Sequence, residues 1–371
     1  KKKNFIIIDG FNNKANLKLN LGAFQFPFPT SKYFNNELCV NSNSFNFKKR
    51  EKNIINNKTI DDFEKFLEKN IYYDIPKIYL ENFLLNLNLV KSYKIECKKV
   101  ISGSFHFFNE LFKIWLAQHT LNKDKSFVIT CHGGNHSKYS GIFNYEDNIS
   151  DQHITWVKSK KHNLPASKYL EVKKKRNKFE NLIFVINENN PYPAKWEDSP
   201  VCLDNLKLDV VLKKFNLLLD KKIKKKFFIC PKYFHCPKFQ KTIKKNLNDS
   251  HIKKKFSFPA ELNNAKLVVC DNPQTAFIDA LRSGPTILVI NKNQWRPKNL
   301  LKIYYKELEK NKVIFYSYDK ALKHINDNWD NINKWWLSHR TKKSVSNFLS
   351  MMNCEKNSLK DWLYFLRNIK F

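Results

Sequence analysis

The chain has 371 residues, enough for two domains with substantial cores, and its 42% apolar and 15% aromatic content excludes global disorder. No run approaches the roughly 18 uncharged apolar residues that span a bilayer, and no secretory signal is visible. The net charge of +33 comes from 67 Lys+Arg against 34 Asp+Glu, but it is spread over the whole length and carried mostly by Lys rather than by bidentate Arg. We therefore expect no specific nucleic-acid binding, and an anionic substrate or an anionic membrane surface as the partner.

After Lys1-Lys2-Lys3 a first strand is expected at 4–9. The chain does not begin with Met and opens directly on this strand, so it reads as part of a longer protein. Residues 12–28 read as a polar loop with alternating Leu17, Leu19 and Leu21, followed by an aromatic-Pro segment. The Asn-rich stretch 35–58 reads as surface loop. Asp61 and Asp62 suit the start of a helix running to 69, and 79–90 reads as another. Residues 104–121 read as one helix capped by Ser104, with Phe105, Phe108, Phe112 and Trp115 on its apolar face. Strands are expected at 127–130 and 151–157. The basic stretch 158–178 marks a domain boundary, giving domains 1–165 and 166–371.

Beyond it the alternation is regular. Strands are expected at 182–186, 226–230, 254–258, 267–270, 286–290 and 313–316. Helices are expected at 203–219, 237–247, 274–282, 300–310 and 319–325, and the last 40 residues read as helical. Such a series implies a doubly wound parallel sheet. The expected architecture is α/β, with two Rossmann-like domains whose strand ends face one cleft. Eight cysteines without a CxxC pair argue against a zinc ribbon and fit a reducing cytoplasm.

Two stretches carry chemistry. The first, 127–151, is an apolar strand broken by Cys131-His132-Gly133-Gly134 and followed by polar residues including Glu146 and Asp151. Two of the chain's seven glycines are adjacent here, where a backbone without Cβ allows close ligand approach. A titratable His at a strand end is placed where open α/β sheets bind ligands. Read conservatively, the stretch is a strand, a turn and a surface histidine. The second, 267–290, is a strand, the turn Asp271-Asn272-Pro273-Gln274, a helix beginning near Thr275, and a Gly-Pro break before another strand. A helix start favours an anion such as phosphate; read conservatively, it is a capped helix and nothing more. No GxGxxG or Walker A motif supports a dinucleotide oxidoreductase or a P-loop NTPase.

Together the patterns strand–H-G-G…E…S-D…W and strand–D-x-P-x-T-x-x-x-D-A-L…G-P-T resemble sugar transferases of the GT-B fold. The residues concerned are His132-Gly133-Gly134, Glu146, Ser150-Asp151 and the segment from Asp271. With the leucine-rich segment at 17–22, they are most similar to a family of transferases encoded among surface-polysaccharide genes. CDP-glycerol glycerophosphotransferases and retaining β-Kdo transferases look similar at the same two places. The chain departs from the former by Asn272-Pro273-Gln274-Thr275 in place of Y-S-S. It departs from its nearest family by Pro231 and Lys232 where an Arg is expected.

The resemblance implies a GT-B-like glycosyltransferase that moves a nucleotide-activated sugar, such as a CMP-activated ulosonic acid, to a glycan or lipid-linked glycan acceptor. It would need no cofactor or metal and would work in the cytoplasm, with peripheral contact at an anionic membrane. His132, Glu146 and Asp151 are the implied catalytic groups, with the acid, base and nucleophile roles open among them. Gly133, Gly134, Lys232, His235, Asp271, Gln274 and Thr275 are the implied donor-binding residues. The alternatives are transfer of a polyol phosphate and, in another class, a non-catalytic glycan- or nucleic-acid-binding protein.

Overall fold

The computed structural model describes residues 3–26, 34, 38, 45–51, 61–131, 133, 142–158, 164–170, 176, 180–186, 208–231, 237–247, 251, 258–292, 297, 299–354 and 359–368. It divides into two compact units, one of Lys1–Thr130 with Ser150–Gln152, the other of Cys131–Ile149 with His153–Phe371. Two sheets follow the chain. The first has the order β1-β2-β3-β4, from Lys3–Ile7, Cys97–Ser102, Ser126–Thr130 and Gln152–Ile154. The second has the order β6-β5-β7-β8-β9, from Asn181–Ile186 (β5), Phe227–Pro231 (β6), Ala265–Cys270 (β7), Thr286–Val289 (β8) and Ile314–Phe315 (β9). Each described pair, β1/β2, β2/β3 and those of the second sheet, is parallel.

In the first unit several expectations are corrected, and within 35–58, expected as surface loop, Phe47–Glu51 form a helix that carries buried Arg50. Residues 13–22 form a helix, α1 (Asn13–Gly22), rather than a loop. Asn12 starts it by accepting the Ala15 N–H at 2.7 Å, and Ala15 and Leu19 supply the buried side. The expected helix 104–121 is two, Phe105–Phe108 and Glu110–Thr120, broken at Asn109. Asn109 is extended; its side chain caps the second helix through the Phe112 N–H at 2.8 Å and donates to the Phe34 carbonyl at 2.7 Å. Ser104 caps neither, because its hydroxyl is donated to Asp9. Asp61 does cap its helix, Asp62–Asp74. Arg50, buried, meets Glu81 through two hydrogen bonds of 2.8 and 2.9 Å and gives its remaining guanidinium nitrogen to the carbonyls of Tyr72, Tyr73 and Ile75. That partner holds the Glu81 carboxyl down at about 2.

The second unit is doubly wound. Along β7, Leu267 and Val269 pack to one side while Val268 and Cys270 pack to the other, so alternate residues serve two apolar layers. One layer holds Phe184, Phe215 and Phe227, stacked with centroids 4.6 and 5.0 Å apart. The other is closed by the helix His339–Met351 through Val345, Phe348 and Leu349. Trp362 of the last helix donates to the Pro165 carbonyl at 2.8 Å. Helix α2 (Ile142–Ile149) lies earlier in this unit, and helix α3 (Thr275–Ser283) follows β7.

The expected strand 151–157 is only Gln152–Ile154. Residue 258 opens a helix, Phe258–Asn264, and the rest of the strand expected there lies outside the described residues. No helix among the described residues is long and apolar enough to cross a membrane.

Candidate functional site

The order β6-β5-β7-β8-β9 reverses direction between β5 and β7. At such a reversal the loops leave the two strands in opposite directions and open a crevice at their carboxyl ends. The crevice is present as a cavity of about 280 Å³. Its floor is Val185 and Ile186 of β5, Cys230 of β6 and Cys270 of β7. Its polar rim is Asp271, Asn272, Gln274 and Thr275, with Asp279 one helical turn further and Lys168 opposite it at 2.7 Å. Phe258 adds an aromatic wall. Burial pushes the Cys270 thiol well above its usual value, so it is a neutral floor residue.

The turn before α3 is built by Asn272, whose side chain accepts the Gln274 N–H at 3.1 Å and donates to Asp271 at 3.0 Å. Gln274, at the N-cap position, makes no side-chain cap bond. Gln274, Thr275 and Ala276 of this helix start line the cavity, at the end of the helix where the dipole favours negative charge.

Gly133 joins this place. A Cβ there would come within 3.1 Å of Thr275 Oγ1. Gly133 and the helix start thus lie side by side inside the second unit. The residue before the turn is fixed on three sides. The Cys131 N–H donates to the Ile154 carbonyl at 2.9 Å, its carbonyl accepts the indole N–H of buried Trp156 at 2.7 Å, and its thiol approaches the Gly133 carbonyl at 3.1 Å. Trp156 is the tryptophan that ends the H-G-G…E…S-D…W pattern, and its work is to hold that strand end.

The two carboxylates of the pattern have their own partners. Asp151 lies at the start of β3, where its carboxylate accepts the Phe127 N–H at 2.7 Å and its own N–H returns to the Phe127 carbonyl at 3.0 Å. Glu146 of α2 is 2% exposed and faces His153 Nε2 at 3.3 Å, while Asp147 meets Nδ1 of the same ring at 2.8 Å. His132, Gly134, Lys232 and His235 lie outside the described residues. The sequence reading therefore has Gly133, Asp271, Gln274 and Thr275 in one place.

It missed Lys168, Asp279 and Asn272 at the cavity, and His153 and Trp156 as supports. Asp279 was readable, since it stands four residues after Thr275 on one helix face. Lys168 comes from a segment 111 residues away from its partner and carries no local signal. Among the described residues no group of three or more His, Cys, Asp or Glu side chains is arranged to hold a metal ion.

No curated protein matches the chain. A family model does, over residues 1–366, under the description LIC12162 family transferase.

Proposed function

The chain belongs to the LIC12162 family of transferases, and we propose that it is a glycosyltransferase of GT-B type that moves a nucleotide-activated sugar onto a surface glycan, with the donor held at the β5/β7 crevice. The observation that supports this reading is the approach of Gly133 to Thr275, a residue that lines the cavity.

A transferase that releases a nucleotide must stabilise a phosphate as charge builds on it. Backbone N–H groups at a helix start, a threonine hydroxyl and a glycine turn that lets the donor approach closely supply that stabilisation without reorganisation. Asp271, Gln274 and Thr275 orient the donor in this reading. Lys232 and His235, which follow Pro231 in the chain, supply positive charge in this reading, and Gly134 is a further donor-binding residue. His132, between Cys131 and Gly133 in the chain, is the proposed general base or acid, because an imidazole titrates near the working pH. Asp151 and Glu146, already engaged with Phe127 and His153, act by fixing the segment that carries the turn. The acceptor is a glycan or lipid-linked glycan, met in the cytoplasm at the membrane face.

Incubation of the chain with CMP-, CDP- and UDP-activated sugars and with CDP-glycerol, with nucleotide release as the readout, tests the proposal. Release that depends on an added glycan acceptor and is lost in His132→Ala supports it. Release from CDP-glycerol alone would move the reading to polyol-phosphate transfer, and release from none of them would sink it.

A further inference from the structure

The outward side of α1 and the turn after it have a composition that a water-facing surface does not need. Lys14, Leu17, Lys18 and Leu21 recur at i, i+3, i+4 and i+7, so they share one exposed face, opposite buried Ala15 and Leu19. Leu17 and Leu21 are 44% and 54% exposed. Beyond the helix, Phe24 is 93% exposed and Phe26 is 87% exposed. Between them Gln25 points inward. Its side-chain carbonyl accepts the Asn4 N–H at 2.9 Å, and its backbone N–H donates to the Asn20 carbonyl at 2.9 Å. The anchored glutamine holds the two phenylalanines outward. Phe24 does this in left-handed backbone, φ +55°, which a side chain with a Cβ adopts only at a cost that glycine or asparagine would escape.

Charge selects among occupants of this surface. Residues 10–36 contain three lysines and no Asp or Glu, within a chain of net charge +33. Two other long helices of this unit expose large apolar side chains: Asp62–Asp74 carries four acidic residues against two lysines, and Phe83–Lys91 exposes Leu84 and Leu85 but has no exposed phenylalanine and a single lysine, so neither combines exposed aromatic rings with lysines in excess of carboxylates. Phenylalanine and leucine side chains flanked by lysines, in a segment without Asp or Glu, match the boundary of an anionic bilayer, where the apolar groups enter the acyl edge and the ammonium groups meet headgroup phosphates.

We infer that the outer face of α1 together with Phe24 and Phe26 is a docking surface for an anionic lipid bilayer. It places the first unit at a membrane and is independent of the donor site, so either can fail alone.

The test is co-sedimentation of the full chain with phosphatidylcholine vesicles and with mixed phosphatidylcholine–phosphatidylglycerol vesicles, at low and high salt. The wild-type chain binds the mixed vesicles, and salt weakens the binding. Phe24→Asn with Phe26→Ser lowers that binding about tenfold, with an unchanged or higher melting temperature because asparagine tolerates the left-handed backbone. Lys14→Gln with Lys18→Gln lowers it by a similar factor. The charge-matched control Lys342→Gln with Lys343→Gln, on the exposed side of the helix His339–Met351, leaves it unchanged. Equal loss in that control would show that overall charge alone drives binding and would overturn the proposal. So would full binding by the phenylalanine variant, or a wild-type dimer that this variant dissolves without any change in vesicle binding.

Discussion

Asp9 and Asp271 occupy equivalent positions: each follows a parallel strand at its carboxyl end. Their surroundings are opposite. Asp9 accepts the Gly103 N–H at 2.8 Å and the hydroxyls of Ser102 and Ser104 at 2.7 and 2.6 Å, so its carboxylate binds the end of β1 to the end of β2. Gly10 and Gly103 let the two backbones close over it; a Cβ on Gly103 would lie 2.7 Å from Gly10 Cα. Asp271 faces the cavity, with its neighbour Asn272 as a hydrogen-bond donor. The difference follows from topology. β1 and β2 are adjacent strands whose loops leave together, whereas β5 and β7 flank a reversal whose loops part. One strand end is spent on structure, and the other lines a cavity.

The sharpest way to test that division is to remove carboxylates from each side. Glu81, like Asp9, is spent on structure. Glu81→Gln leaves Arg50 buried without its counter-charge and should cost about 3–5 kcal/mol of stability at neutral pH, read from urea unfolding. The same pair sets a pH dependence. Its folded carboxyl titrates at about 2 against an ordinary 4.5, so the stabilisation is complete above pH 4.5 and is lost as pH falls from there toward 2. The Gln variant should lack that part of the acid transition.

Asp9→Ala should cost about 2–3 kcal/mol, since three donors lose a charged acceptor. Gly103→Ala should cost about 1–3 kcal/mol, because the added methyl meets backbone that cannot swing away. Asp271→Asn should move stability by about 0.5 kcal/mol or less, a change of surface size, while weakening donor binding. If Asp9→Ala proved neutral and Asp271→Asn unfolded the chain, the division between closed and open strand ends would be inverted.

Much of the second unit was legible in the sequence. Strands buried on both faces, such as 182–186 and 267–270, read as short apolar runs between polar turns, and Pro273 and Gln274 announced the helix start. The first unit was harder. In α1 the leucines fall on both faces, so their spacing of two imitates a strand or loop, and only the Asn12 cap tells otherwise. The break at Asn109 depends on Phe34, 75 residues away. Asp271, Gln274 and Thr275 could be expected side by side because turn chemistry is local, whereas the approach of Gly133 to Thr275 is tertiary. The supports were not readable, because the use of a tryptophan to hold Cys131 or of a histidine to pair with Glu146 exists only once the strands are side by side.

Nucleotide binding tests the central claim most directly, through titration calorimetry of CMP, CDP and UDP against the wild-type chain, Asp271→Asn and Thr275→Val. The account predicts that at least one nucleotide binds the wild-type chain and binds each variant about tenfold or more weakly, a difference of about 1.4 kcal/mol, with melting temperatures unchanged. Binding by none of the three, or binding that both variants leave intact, would contradict it.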